Sequence, residues 1–273
     1  MIAVIVPIYN TEKYLRETID SVICQTLSFA EHIRLILLDD ASTDGSFAIC
    51  EQYQKQYPKQ IVVKHYDTNQ GVSALRNEGV RIAGEMGDEL ITFLDSDDKL
   101  ADDAMEKAVQ YFDAHEDVFV AAIGIRYFDA YEGEQRLNWR FEKTDVVDIK
   151  KDYTYPHYYV GGVFLRHAVL DELHFDESLS FWEDALAVNQ VIVSQGKYGL
   201  IAGTHYYYRK REDESSLVDT AWHKKERYTT LLSSGYGQLF AYSRKKHHRI
   251  IPYVQYMVAY HMRLMMMKSK QSI

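Results

Sequence analysis

The chain has 273 residues, of which 47% are hydrophobic and 26% are charged, enough apolar material for one large domain or one domain with an appended region. Its formal net charge of −9 argues against a nucleic-acid partner, because an acidic surface repels phosphate. No apolar run of about 18 residues is present, so we expect no membrane-spanning helix, and the first residues lack the basic lead of a signal peptide.

In chain order, the first half alternates strand and helix patterns. Short apolar runs predict strands at 2–6, 33–38, 61–64, 90–94 and 118–125. Helical spacing of apolar residues predicts helices at 11–25, 47–57, 73–83 and 101–114. Alternation of this kind predicts an α/β fold, with a mostly parallel sheet flanked by helices and ligands bound at the carboxyl ends of its strands.

The second half is less regular. Residues 127–151 read as a hairpin or loop insertion, 158–165 as a strand, 182–194 as a helix, and 198–202 and 205–208 as two short strands. From about residue 220 the pattern is helical and basic. We predict a domain at 1–218, divided into a nucleotide-binding half at 1–115 and an acceptor half at 116–218. A basic helical region at 219–273 follows, and we expect its last helix to continue or to pack on a further part of the protein.

The charge is unevenly distributed. Residues 222–273 contain ten Lys and Arg and a single acid, Glu226, which leaves residues 1–221 with a net charge of −18. Three interpretations of the basic region stay open: contact with anionic lipid, binding of a polyanionic acceptor, or a solvated face. The two cysteines, Cys24 and Cys50, form no metal or disulfide pattern and indicate a reducing compartment. We therefore expect a cytoplasmic protein, with peripheral contact at the inner face of the membrane as one option.

Polar residues follow four of the predicted strands and should converge at one edge of the sheet. They are Pro7, Tyr9 and Asn10 after the first strand, Asp39 and Asp40 after the second, Asn69 and Arg76 after the third, and Asp95, Ser96, Asp97 and Asp98 after the fourth. Carboxylates with an arginine indicate a nucleoside diphosphate held with a hard divalent metal such as Mn²⁺ or Mg²⁺. For the last cluster alone, the simpler interpretation is an acidic turn that begins the next helix.

Five motifs occur in a fixed order along the chain: VPIYN, LRETIDSVICQT, LLDDASTDGS, NQGVSALRNEG and FLDSDD. In order and spacing they resemble the family 2 glycosyltransferases of the GT-A (Rossmann-like) fold, over roughly residues 1–215. The glycine-rich patterns of a P-loop and of a dinucleotide-binding turn are absent. The resemblance implies a nucleotide-sugar donor, a divalent metal and inversion at the anomeric carbon.

The resemblance also assigns roles to individual residues. Pro7 and Tyr9 match positions at the nucleobase, and Asp40 matches the acid that reads the uracil, with Asp39 beside it. Asn69 and Arg76 match residues that line the nucleotide. In the DxD motif, Asp95 matches the contact to the sugar or ribose and Asp97 the metal ligand. Asn10 and Ser96 belong to the same nucleotide-sugar site, and Asp98 is expected to support it.

A further acidic pair, Glu183 and Asp184, resembles the ED motif of the family, in which the aspartate is the catalytic base. Attack by an acceptor hydroxyl needs a positioned proton acceptor, which a carboxylate supplies. We therefore assign the base to Asp184, with Glu183 as the weaker candidate. Taken alone, the pair would be an ordinary acidic first turn of a helix.

The segment HYYYRKR and the pair Ser215 and Ser216 resemble the closing loop of the family, which folds over the diphosphate. Arg209 or Arg211 is the expected phosphate contact. His205 as a metal ligand is doubtful, because the position at which some members carry a loop histidine holds Arg or acidic residues here.

The expected function is transfer of a hexosyl or N-acetylhexosaminyl group from a nucleotide-sugar, with a UDP-sugar as the expected donor, to a polysaccharide, polyol-phosphate or lipid-linked acceptor. The alternative from another class is a nucleotide-sugar or polymer binding module without turnover of its own. Nucleotidyl transfer ranks last, because the glycine-rich loop and lysine that it needs after the first strand are missing.

Overall fold

The computed structural model describes residues 1–211 and 229–269. Within these ranges, one curved sheet contains strands β1 Ile2–Ile8, β2 Ile33–Asp39, β3 Ile61–His65, β4 Leu90–Phe93, β5 Lys99–Leu100, β6 Val120–Asp129, β7 Gly133–Glu134, β8 Val146–Asp148, β9 Val163–Arg166 and β10 Lys197–Lys210.

The helices of the described residues are α1 Glu12–Ile23, α2 Phe29–His32, α3 Ser46–Gln56, α4 Val72–Glu85, α5 Ala104–Ala114, α6 Glu183–Gln195, α7 Gly237–His247 and α8 Pro252–Ser269. Two 3₁₀ turns lie at Asn138–Glu142 and His167–Glu172, and a π-helical turn, Leu231–Tyr236, leads directly into α7.

The main strand order is β3-β2-β1-β4-β9-β6-β10-β5. The pairs β3–β2, β2–β1, β1–β4 and β6–β10 are parallel, whereas β9 runs antiparallel between β4 and β6. The predicted α/β sheet, mostly parallel, is therefore confirmed. Because β1, β2 and β4 point the same way, the loops that follow them meet at one edge.

Two hydrophobic cores cover the sheet, one on each face. One contains buried residues of α1, α3 and α5, such as Leu15, Ile49 and Ala108. The other contains residues of α4 and α6 together with residues of the last helices, including Leu75 and Val188. Near-continuous apolar runs such as Ile33–Asp39 form strands because both of their faces are buried in this way.

The structure differs from the sequence prediction mainly in the second half. The two short strands predicted at 198–202 and 205–208 are one strand, β10, with an irregularity between Ile201 and His205. The predicted insertion at 127–151 contains β7, a 3₁₀ turn and β8, and β8 pairs with β10. Periodicity misses the bulge because it interrupts the alternation without ending the strand.

The described part of the basic C-terminal region packs tightly on α6. Leu239 of α7 and Val254 and Met257 of α8 are fully buried in the same core as α6. The Tyr253 hydroxyl donates to Asn189 Oδ1 at 2.8 Å. The predicted boundary at 218 lies outside the described residues. None of the described helices combines the length and apolarity that a membrane crossing requires.

Candidate active site

The turn after β1 is tied to the loop after β2. Asn10 has a left-handed backbone, φ 51°, and its N–H donates to Ser42 Oγ at 3.0 Å. In return, the Thr43 N–H donates to Asn10 Oδ1 at 2.8 Å. Pro7 is buried within β1, whereas the neighbouring Tyr9 ring is exposed at this edge. Of these residues, Tyr9 has the surface that a ligand would contact, and Asn10 holds the turn.

Asp40 organises the loop that precedes α4. Its Oδ1 accepts the Gln70 N–H at 2.6 Å and its Oδ2 accepts the Gly71 N–H at 2.9 Å. The Asn69 side-chain amide donates to the Asp40 carbonyl at 3.3 Å. Gly71 has φ 88°, a conformation that glycine adopts without strain. Asp40 and Asn69, predicted at the nucleotide, are therefore brought together by direct hydrogen bonds.

Asp39 points the other way. It is 0% exposed, and its Oδ2 lies 2.7 Å from His65 Nδ1 and accepts the Ser42 N–H at 3.2 Å. The Asp39 side chain therefore supports the loop from inside, through its contacts with His65 and the Ser42 N–H. Its predicted place beside the nucleotide stays a prediction.

The acidic turn after β4 contains carboxylates in different environments. Asp95 is 38% exposed and Asp97 20% exposed, whereas Asp98 is 2% exposed. Burial, with Asp97 and Asp95 nearby, raises the pKa of Asp98 well above its usual range. The Thr18 hydroxyl fixes the turn from α1 by donating to the carbonyls of Ser96 and Asp98, at 3.0 and 2.8 Å. Ser96 itself is buried.

Asp98 is held by β10. The Tyr206 hydroxyl donates to Asp98 Oδ2 at 2.7 Å and accepts the Asp95 N–H at 3.1 Å. The Arg209 N–H donates to Asp98 Oδ1 at 2.7 Å. Asp98 is therefore a structural support, as expected, and it leaves Asp95 and Asp97 as the exposed carboxylates of the turn.

The Arg209 guanidinium group is engaged in hydrogen bonds with the acidic turn and with two further acids. Its Nε donates to the Asp97 carbonyl at 2.7 Å, and its two terminal nitrogens donate to Asp129, at 2.8 Å, and to Glu17. The side chain is 7% exposed. All three guanidinium nitrogens of Arg209 therefore have protein acceptors in this structure, and its contact with a phosphate stays a prediction.

Arg211 lies on the carboxylate predicted to bind metal. A terminal nitrogen of its guanidinium donates to Asp97 Oδ2. Burial raises the pKa of Asp97, and the adjacent Arg211 charge opposes that rise. The predicted pairing of Arg211 with phosphate is thus replaced, in this structure, by a pairing with Asp97. Ser215 and Ser216 lie outside the described residues.

The carboxylates of the turn suit a hard divalent cation. Oxygen ligands from one or two carboxylates plus substrate phosphates are the usual Mg²⁺ arrangement, and Mn²⁺ accepts the same ligands. Among residues 1–211 and 229–269, no group of three or more His, Cys, Asp or Glu side chains could hold a metal ion. A metal at Asp97 would therefore depend on the diphosphate for much of its coordination.

Arg76 joins the acidic turn to α6. One terminal nitrogen donates to Asp95 Oδ1 at 3.2 Å and the other to Glu183 Oε1 at 3.0 Å. The guanidinium is almost fully buried, and although burial lowers its pKa, the charges of Asp95, Glu183 and Asp184 raise it overall. Arg76 was predicted to line the nucleotide. The structure instead makes it the ion-pair bridge between the predicted donor and acceptor halves.

Asp184 occupies the first turn of α6. Its Oδ1 accepts the N–H of Ala185 at 2.6 Å. Burial, followed by the charge of Glu183, raises the pKa of Asp184 to about 7, and the Arg76 charge limits that rise. A carboxylate with a pKa in this range is suited to proton transfer near neutral pH. Glu183 is engaged by Arg76, so Asp184 is the better placed proton acceptor.

Sequence reasoning missed three residues of this site: Thr18, Tyr206 and Trp182. Tyr206 lies in a run of three tyrosines. Because successive strand residues point to opposite sides of a sheet, alternation could have predicted that the Tyr206 side chain points inward and that of its neighbour Tyr207 outward. His205 is on the opposite face of β10, with its ring 4.0 Å from Glu134. Thr18 lies within the LRETIDSVICQT motif and Trp182 directly precedes Glu183, but the pattern does not show their roles, which depend on contacts distant in sequence.

Comparison with known proteins identifies the family of the chain. The chain matches the family model "Glycosyl transferase family 2" over residues 3–174. It is 42% identical over 266 residues to the minor teichoic acid biosynthesis protein GgaA of Bacillus subtilis (strain 168), covering 97% of this chain and 59% of GgaA. The chain thus spans somewhat over half the length of that relative.

Two solved structures share the fold. One is S. aureus TarS 1–349 in complex with UDP-GlcNAc, with a TM-score of 0.73 and 23% identity, covering 90% of this chain and 67% of that one. The other is the mannosyltransferase PcManGT from Pyrobaculum calidifontis in complex with GDP-Man and Mn²⁺, with a TM-score of 0.65 and 19% identity, covering 94% and 68% of the two chains.

Proposed function

This chain belongs to glycosyltransferase family 2, and from that premise we propose that it transfers a sugar from a UDP-sugar to a hydroxyl group of a cell-wall teichoic acid polymer. The observation that carries the proposal is the ion-pair bridge through Arg76. It joins Asp95 of the acidic turn to the helix start that bears Asp184. A donor site and a proton acceptor are thereby held next to each other.

The donor would bind along the edge formed after β1, β2 and β4. Tyr9 offers an exposed ring for the base, and the loop ordered by Asp40 lies beside it. Asp97 would hold Mn²⁺ or Mg²⁺, with Asp95 close to the ribose or sugar. When bound, such a metal neutralises charge that develops on the diphosphate leaving group. The Arg211 guanidinium would then release the Asp97 carboxylate and donate to a phosphate oxygen, which is also negatively charged.

Asp184 would remove the proton from the acceptor hydroxyl as that oxygen attacks the anomeric carbon. The new glycosidic bond forms while the bond to the diphosphate breaks, so a single displacement inverts the anomeric centre. The pKa of Asp184, raised to about 7 by burial, makes it a stronger base than an exposed carboxylate. General-base assistance of this kind contributes about 10²–10⁴-fold.

The acceptor is proposed from the relatives. GgaA is named for minor teichoic acid biosynthesis, which favours a polyol-phosphate polymer over a neutral polysaccharide or a lipid-linked sugar. We place the protein in the cytoplasm, with peripheral contact at the inner face of the membrane.

Support for surface contact comes from the basic end of α7, where Arg244, Lys245 and Arg249 are exposed. The adjacent Lys246 donates to Ser194 at 2.8 Å, near the end of α6. Ser194 follows Asp184 by ten residues of this helix, so this basic surface lies about 15 Å along it from Asp184. It suits docking of an anionic polymer or lipid better than a role in the reaction.

A donor and acceptor screen tests the proposal. Isothermal titration with Mn²⁺ and UDP- or GDP-sugars should detect one UDP-sugar that binds, and the same sugar should be transferred to purified teichoic acid. Binding without transfer to any polymer would contradict the proposal and favour a binding module. Failure of every UDP-sugar to bind would contradict the donor assignment.

A further inference from the structure

Trp182, the residue immediately before Glu183 and Asp184, has an unusual backbone. Its φ is 71°, in the left-handed region, where a bulky side chain is rarely found. Its side chain is buried. Such a conformation persists only when surrounding contacts determine it. Because Trp182 is the N-cap of α6, its conformation sets the direction in which the first turn of α6, and therefore Asp184, leaves the preceding loop.

Aromatic residues from the C-terminal helices surround this tryptophan. The Tyr236 ring meets Trp182 edge-on, with ring centroids 5.0 Å apart and planes at 86°. The His261 ring of α8 stacks on it at 5.9 Å and 29°. Tyr236 Oη and His261 Nδ1 are hydrogen-bonded at 2.6 Å. We call these three residues the aromatic cluster.

The backbone next to Tyr236 also packs closely against the Trp182 ring. A Cβ placed on Gly235 would lie 3.3 Å from Trp182 Cε3 and 2.8 Å from Leu231 Cδ1. The absence of a side chain at Gly235 therefore permits the close approach of the π-helical turn to the indole ring. A Cβ placed on Gly237, two residues further along, would meet only the Leu232 carbonyl oxygen, at 4.0 Å.

We propose that the aromatic cluster positions the catalytic carboxylate: Tyr236 and His261 hold Trp182 in its left-handed conformation, and Trp182 thereby orients Asp184. This inference rests on the proposed role of Asp184 as base. Tyr236 and His261 are positioning residues, because they act through Trp182. The helical region at 229–269, which follows the segment matched by the family model, is in this sense part of the active site.

A role in packing alone predicts a different outcome. The donor-binding loops after β1, β2 and β4 lie on other elements of the sheet, whereas the rings of the cluster contact the start of α6 and also Tyr158, Phe181 and Met265. Loss of the cluster should therefore lower kcat and leave donor affinity unchanged. General destabilisation would instead lower the melting temperature and reduce donor affinity and kcat together.

The first test compares Gly235→Ala with Gly237→Ala. Both substitutions add a methyl group to the same helical stretch and raise helix propensity similarly. Of the two, Gly235→Ala brings its methyl group against Trp182, at 3.3 Å from Cε3, and against Leu231 Cδ1, at 2.8 Å. We expect Gly235→Ala to lower kcat at least fivefold, with the Kd for the UDP-sugar within twofold of wild type. Gly237→Ala should leave both unchanged. Equal kcat for the two variants would overturn the proposal.

The second test replaces His261. His261→Ala removes the stacked ring and should lower kcat at least tenfold, and His261→Phe, which restores a ring, should recover most of that loss. Met262→Ala is the matched control on the same helix, because Met262 is 36% exposed. Parallel losses of kcat, donor affinity and melting temperature, or no recovery in His261→Phe, would contradict a positioning role.

Asp184→Asn, assayed in parallel, separates this inference from the proposed function. If Asp184→Asn turns over normally, the assignment of the base fails, and with it the premise that the cluster orients a base. If Asp184→Asn is inactive while Gly235→Ala and His261→Ala retain wild-type kcat, the base stands and the positioning role is refuted.

Discussion

Replacing Asp184 by asparagine should stabilise the metal-free protein at and above neutral pH. Burial and the neighbouring Glu183 raise the pKa of Asp184 from 3.8 to about 7. Between these values the native state keeps a proton that the unfolded chain has lost. Stability contributed by this group therefore falls as the pH rises through that window, and the whole penalty is present above pH 7. Asparagine has a similar shape and never ionises, so it removes the penalty.

The magnitude follows from the shift. One pKa unit corresponds to about 1.4 kcal/mol, so a rise of roughly three units gives on the order of 4 kcal/mol at most. Because Asp184 interacts with Glu183 and Arg76, part of that free energy belongs to the three groups together and not to Asp184 alone. We expect Asp184→Asn to exceed wild type by about 2–4 kcal/mol in free energy of unfolding at pH 8, and by much less at pH 5.

Urea denaturation with EDTA at pH 5 and pH 8 measures this difference. Glu78→Gln is the control with opposite sign: hydrogen bonds from Arg81 and then Lys64 lower the pKa of Glu78 to about 2. Ionised Glu78 therefore stabilises the fold above its unfolded pKa, and its removal should destabilise the protein at pH 8. An Asp184→Asn variant no more stable than wild type at pH 8, or equally stabilised at both pH values, would refute the reasoning.

Two further substitutions test the acidic turn. Tyr206→Phe removes the hydroxyl that donates to Asp98 Oδ2, leaves Oδ1 with the Arg209 N–H, and should lower the free energy of unfolding by about 1–3 kcal/mol, measured by urea denaturation. Tyr207→Phe, whose hydroxyl bonds to none of the described residues, should have no effect, and equal losses would contradict this account. Arg211→Gln removes the charge paired with Asp97 and should strengthen binding of Mn²⁺ alone, measured by electron paramagnetic resonance; unchanged or weaker binding would count against the ion pair as a competitor of the metal.

The sequence was most informative where a role depends on local pattern. Apolar runs predicted the strands, and the polar residues that follow them meet at one edge because parallel strands end together. Asp40, Asn69, Asp95 and Asp97 were placed in this way, and the structure brings all four to that edge. Their chemical roles in binding stay predictions.

Roles that depend on partners distant in sequence could not be read from pattern. Arg209 lies far along the chain from Glu17 and Asp129, the acids that bind it. Arg76 looked like a phosphate ligand, because a sequence shows a charge but not the acid that will neutralise it. Asp39 and Asp40 are adjacent and both buried, and only the packed structure shows that Asp39 contacts His65 whereas Asp40 holds the loop before α4.

The C-terminal region shows the same limit. Its basic composition drew attention to exposed residues of α7, whereas its contacts with the site are made by Tyr236 and His261. Both rings reach Trp182 across more than 50 residues of sequence, and no motif marks Tyr236 or His261. Buried aromatic contacts of this kind follow from tertiary packing alone.

The most direct test of the central claim is sugar transfer by Asp184→Asn, measured together with its affinity for the UDP-sugar donor. We expect kcat to fall by about 10²–10⁴-fold, the usual contribution of a general base, while the donor Kd stays within twofold of wild type. Normal turnover by this variant would contradict the account, because the carboxylate at the start of α6 would then not be the base.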